Sequence, residues 1–192
     1  MVAQGVRRLR TSLPALLEDA DNGVTFASRE LFHELYQQLV WLDERIAVMD
    51  GKILQIFTTT EACQRLADIE GVGPMIATAL HAAVPQPHVF HNGRHLAAWL
   101  GLVPRQHSTG GTSVLLGISK RGDRYLRALF IHGARAVVYR WKDKPNPSAR
   151  ARWVQQLIAR RGINCATVAL ANKIARVAWV LLSQGVQYQP AR

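Results

Sequence analysis

Eight apolar residues at heptad spacing dominate the first third of the chain. Phe32, Leu35, Leu39, Leu42, Ile46, Met49, Ile53 and Ile56 follow one another at steps of 3, 4, 3, 4, 3, 4 and 3. Only an α-helix gathers such steps onto one stripe, and a stripe held for more than three repeats favours a coiled coil. Residues 28–58 are therefore predicted as one coiled-coil helix, about 45 Å long at 1.5 Å per residue. Ser28 suits the N-cap, and Glu30 and Glu34 suit the positive end of the helix. Such a helix either folds back on its own chain within a bundle or pairs with another chain as a homo-oligomer. Val40 and Trp41 widen the stripe beyond a two-stranded seam, so the pattern leaves both arrangements open.

The segments on either side differ from this helix. Residues 1–27 contain Gly5, Pro14, Gly23 and the run Glu18-Asp19-Ala20-Asp21, and read as a linker with one short helix around 11–20. Residues 59–192 read as a second, helical domain. Within it, 60–84 reads as helix, tight turn, helix, with Gly71-Val72-Gly73-Pro74 at the turn. Glycines permit a sharp turn, and Pro74 suits the first helical position. The pattern resembles a helix-hairpin-helix, whose helix N-terminus presents N–H groups to a phosphate. The alternative is a hairpin whose glycines only let helices pack closely. Further helices are expected from Asn92 to about Leu100, Arg121 to Trp141, 148–160 and 165–183. Residues 105–119, RQHSTGGTSVLLGIS, read as a loop in which only Val114–Ile118 resembles a strand. The fold class is mainly α: a long coiled-coil helix, a helix-hairpin-helix and a compact helical domain.

Charge narrows the function. Residues 1–99 hold 8 Lys and Arg against 11 Asp and Glu, whereas residues 100–192 hold 16 against 2, a net of +14. A half this one-sided faces a polyanion, nucleic acid before an acidic membrane surface or protein. The longest apolar stretch, 165–182, is interrupted by Asn172, Lys173 and Arg176, so no transmembrane helix is expected. The N-terminus lacks the apolar core of a signal peptide. Cys63 and Cys165, far apart and without a CxxC motif, exclude a disulfide framework and a cysteine zinc site, and fit a reducing cytoplasm.

Chemistry in the basic half centres on two groups. Lys120, Arg121, Arg124 and Arg127 stand at the expected start of a helix, at a spacing that places most of them on one face. Cations there oppose the helix dipole unless a phosphate shares the site. A solvated basic face is the plainer alternative. Just before them, Ser108-Thr109-Gly110-Gly111 can present a hydroxyl on tight, exposed backbone, where arginines would orient a phosphodiester for attack. Two-metal phosphoryl transfer needs several converging carboxylates. The basic half has only Asp123 and Asp143, and His88, His91 and His95 are broken by Pro87 and Asn92. No metal site is expected.

The stretches RLADIEGVGPMIATAL, GRHLAAWLGLVPRQHSTGG, LLGISKRGDRYLRALFIHGARAVV and VALANKIARVAW together resemble the C-terminal part of the IS-one-ten family of insertion-sequence transposases, the Piv-type group with DEDD catalysis. The resemblance runs from about residue 9 to 188. It implies a coiled-coil region, then a helical transposase domain with a serine that attacks DNA and forms a covalent link. It also implies a recombinase guided by a bridging noncoding RNA. Ser108 matches the family serine, with Thr109 as the fallback. Arg105, Gly110, Gly111, Lys120, Arg121, Arg124 and Arg127, with Gly71 and Gly73, are the candidate nucleic-acid contacts. Two departures stand out: Thr112 replaces a frequent Lys after the glycine pair, and Pro85-Gln86 replaces Gly-Asp. The family's RuvC-like domain with four metal-binding acids is expected to be missing here. No cofactor is then expected in this chain, and Mg²⁺ only with that domain. The resulting expectation is a truncated transposase, inactive alone and needing the acidic domain in trans. The alternative is a catalytically silent DNA- or RNA-binding remnant.

Overall fold

Phe26–Thr59 forms a single 34-residue helix, α2, about 51 Å long. The computed structural model describes residues 5–109 and 112–189, and divides the chain into two compact units, 1–52 and 53–192. In the first unit α1 (Val6–Glu18) precedes α2. It begins five residues before the short helix expected at 11–20, because nothing between Gly5 and Pro14 breaks the pattern. Pro14 lies inside it and removes one internal hydrogen bond. Arg29 braces the turn that follows, donating to the Leu17 carbonyl at 2.5 Å and to Asn22 Oδ1 at 3.1 Å. Arg10 pairs with Asp43.

Among the described residues, this unit has no core of its own. No residue of α1 or α2 is buried. Phe32, Leu35, Leu42, Ile46, Met49 and Ile56 are 41–57% exposed.

The second unit is built around α8 (Ile163–Gln184). Asn92 caps α5 (Gly93–Trp99) by accepting from the His95 N–H at 3.0 Å, and Ser148 caps α7 (Ala149–Arg161) through the Ala151 N–H. Gly185, at φ 65°, ends α8 in the left-handed conformation. α8 packs against α3 (Glu61–Ala67), α5, α6 (Arg124–Trp141) and α7. Ala166, Ala171, Ala175 and Ala178 are buried along it, and such small side chains let the neighbouring helices approach. Leu66, Leu96, Phe130, Val138, Val154 and Leu170 fill the space between. By length and composition α8 is apolar enough to cross a membrane, at a mean hydropathy of 1.5, despite Lys173 and Arg176. Its apolar residues instead serve as the central helix of the core.

α3 and α4 (Pro74–Ala83) flank the Gly71–Gly73 turn, with Pro74 in the first turn of α4 as expected. The loop expected at 105–119 is instead an antiparallel hairpin. β1 (Pro104–Thr109) pairs with β2 (Thr112–Ile118), with Gln106 opposite Leu115, His107 opposite Val114 and Ser108 opposite Ser113. Two glycines between two short runs are a hairpin signal. They were outweighed by the polar character of RQHST, which lacks a buried alternating face. The strands gain their stability from pairing with each other.

Candidate nucleic-acid interface

The hairpin stands on a clamped base. The Ser119 N–H donates to the Val103 carbonyl at 2.8 Å, and the Lys120 N–H to the Gly101 carbonyl at 3.2 Å. Gly122 adopts φ +93°, and a Cβ there would fall 1.7 Å from the Trp99 carbonyl oxygen, so only glycine fits. Above this base the arm is open: Val114, Leu115 and Leu116 are 48–66% exposed.

Ser108 sits on β1 of this arm and is exposed. The Gln106 side-chain amide donates to its Oγ at 2.9 Å. That bond occupies an acceptor lone pair and orients the hydroxyl, but it takes no proton from it. Neighbouring residues on a strand point to opposite faces, so His107 is poorly placed as the base for Ser108. Among the described residues no group of three His, Cys, Asp or Glu could hold a metal. The Thr109 side chain, and Gly110 and Gly111 entirely, lie outside the described residues.

The cations expected on one helix face divide into three positions. α6 begins at Arg124, not Arg121, because Asp123 caps it, accepting from the Leu126 N–H at 2.8 Å. Lys120, with φ 56°, and Arg121 therefore belong to the base of the hairpin. Arg124 is exposed in the first turn of α6. Arg127 turns inward and donates to the carbonyls of Leu100 at 3.2 Å and Arg121 at 3.5 Å. It braces the hairpin from within. Arg105, Lys120, Arg121 and Arg124 remain exposed around the arm.

The two glycines of the α3–α4 turn also part company. Gly71, at φ +92°, is pressed against Gly133 of α6 and does the close packing weighed above as the alternative. Gly73 precedes α4 with open space around it. Tyr125 Oη donates to Met75 Sδ at 3.5 Å, which brings the start of α4 beside the start of α6. Gly73 and Arg124 thus belong to neighbouring helix starts.

Sequence reasoning missed a groove. It measures about 1270 Å³ and opens between the hairpin base, α5, α7 and α8. Arg94, Arg161, Lys173 and Arg176 line it with Trp153 and Trp179. The Trp179 indole N–H donates to the Pro87 carbonyl at 3.0 Å, and the Lys173 ammonium lies 4.9 Å from the centre of the Trp153 ring. Tryptophans set among the cations of the basic half were the available signal.

These features define a mainly α-helical protein with a strongly basic second unit and a projecting serine-bearing hairpin. Residues 63–153 match the model of the transposase IS116/IS110/IS902 family. A probable family 20 transposase of Pseudomonas aeruginosa is 50% identical over 161 residues, 84% of this chain and 47% of that protein. The transposase for insertion sequence element IS1111A of Coxiella burnetii is 42% identical over 188 residues, 98% of this chain and 51% of that protein. The transposase for insertion sequence element IS1328 of Yersinia enterocolitica is 38% identical over 158 residues, 82% and 47%. The chain belongs to the IS116/IS110/IS902 transposase family. It spans about half the length of these curated relatives.

Proposed function

We propose that this chain is the DNA-gripping and strand-attacking part of an insertion-sequence transposase, with Ser108 as nucleophile. The observation that carries the reading is the placement of Ser108, exposed, on an arm that also carries Arg105 and has the exposed Lys120 and Arg121 at its base. In the reaction, Ser108 Oγ forms a bond to a DNA phosphorus and the bond from that phosphorus to a sugar oxygen breaks. The freed oxygen takes up a proton, and the serine proton passes to a base. The guanidinium groups offset the charge that builds on the phosphoryl oxygens. A serine hydroxyl is a weak nucleophile without a base, and among the described residues none is evident beside Ser108, so activation comes from acidic residues on another polypeptide or domain. Those acids would hold Mg²⁺; no such set lies among the residues described.

DNA is the substrate, a bridging noncoding RNA is its guide, and the working place is the cytoplasm. The exposed heptad stripe of α2 supports assembly into a homo-oligomer through a coiled coil. The start of α4 beside α6 supports the helix-hairpin-helix reading, with Gly73 rather than Gly71 facing phosphate.

The test is a covalent protein–DNA adduct on a denaturing gel. The chain is mixed with a full-length relative whose own serine is mutated, together with the matching RNA and DNA. Rescue of strand exchange with an adduct on this chain supports the reading, and its loss in Ser108→Ala completes it. Rescue by Ser108→Ala would sink it. An adduct lost only in Thr109→Ala would move the nucleophile by one residue.

A further inference from the structure

The groove at the foot of the hairpin has a composition that the attack chemistry does not use. Four cations, Arg94, Arg161, Lys173 and Arg176, surround two half-buried tryptophans, and no carboxylate lines it. Lys173 and Arg176 are three residues apart on α8 and share one face. At about 1270 Å³ the space exceeds the ~300–1,000 Å³ of small-molecule pockets. Duplex DNA would meet such a groove badly, because its base faces are stacked inside and only phosphates reach the wall. An unpaired strand offers both halves of the match: phosphates for the cations, and bases to stack on the indoles.

We propose that this groove binds an unpaired segment of DNA, with a base stacked beside Trp153 and its flanking phosphates held by Lys173, Arg176, Arg94 and Arg161. The assignment to DNA rests on the reading of Ser108 as the nucleophile. β1 runs from Pro104 at the groove to Ser108, about 13 Å at 3.3 Å per residue. A strand lying along it would place the held base a few nucleotides from the attacked phosphate. The groove then keeps the strand open beside the reaction.

Cys165 supplies a built-in probe. It lines the groove and is exposed, whereas Cys63 is fully buried and burial pushes its thiol pKa up. A maleimide or iodoacetamide dye should therefore label the folded full chain at Cys165. A saturating single-stranded oligothymidine should slow this labelling at least tenfold. An oligonucleotide with abasic sugars should need about tenfold more to do the same, since stacking is lost and charge is kept. Trp153→Phe should retain protection and Trp153→Leu should weaken it about tenfold. The wild-type labelling experiment stands even if Trp153→Leu fails to fold.

Duplex binding by anisotropy, measured alongside, separates the outcomes. A chain that binds duplex yet leaves Cys165 unprotected by any single strand overturns the groove proposal and spares the proposed function. A chain that binds no nucleic acid overturns both. Equal protection by abasic and normal strands overturns the stacking role. Protection by single-stranded RNA but not by DNA of the same sequence overturns the assignment to DNA.

Discussion

Gly71 and Gly133 meet backbone to backbone: a Cβ on Gly133 would lie 2.0 Å from the Gly71 carbonyl oxygen, and one on Gly71 would lie 2.9 Å from that of Gly133. The contact joins the α3–α4 turn to the middle of α6, so packing holds the turn beside Gly73.

Gly133→Ala should therefore destabilise the second unit. Overpacking a tight contact costs about 1–3 kcal/mol, with backbone clashes at the upper end. At ~2–4 °C per kcal/mol for a chain of this size, the melting temperature should fall by roughly 5–10 °C. Gly73→Ala has open space around it and should cost about 1 kcal/mol or less. Equal losses in thermal melts of the two variants would contradict the packing account.

The arginines around the arm should separate by function. If about six phosphates are neutralised, the logarithm of the DNA binding constant should fall against the logarithm of salt with a slope of about −5. Arg121→Ala with Arg124→Ala should flatten that slope by about 2 units and leave the melting temperature alone. Arg127→Ala should lower stability by about 2 kcal/mol, because the hairpin base loses a charged donor to the Leu100 carbonyl. Binding that ignores salt would point instead to a protein partner.

Ser108→Ala should leave both the melt and the DNA affinity within error, since the side chain is exposed and one hydroxyl adds little beside several phosphate contacts. The chain by itself, with Mg²⁺ present, should form no covalent adduct. An adduct formed by the lone chain would show that activation does not require outside acids.

Leu42→Glu with Ile46→Glu places charge at the centre of the exposed stripe of α2. Sedimentation should show a self-associating wild-type chain and a smaller species for the variant, with the melt of the second unit unchanged. A monomer in both proteins would remove the coiled-coil reading.

The helices were legible where side-chain period and capping chemistry agree. The heptads located α2, and Asn92 and Pro74 marked the starts of α5 and α4. The hairpin was not legible, since Arg105-Gln106-His107-Ser108 carries no apolar alternation and has no core to face. Its signal lay in the glycine pair and in Val114–Ile118, the part of β2 that resembles a strand. The division among the four cations depended on where α6 begins, and Asp123 moved that point by three residues. Arg127 then faced carbonyls that sequence spacing alone could not place. The groove escaped because Arg94, Trp153 and Trp179 are brought together only by the packing of α5, α7 and α8.

Among the described residues, the hairpin arm contributes none to the core. Folding therefore exerts little selective pressure on it. In a copy of the gene released from its duty, substitutions should accumulate first along Arg105–Ile118, while Gly133, Phe130 and the alanines of α8 persist. Comparing the rate of amino-acid change in these two sets among sister copies within one genome would date the loss of function independently of any activity measurement.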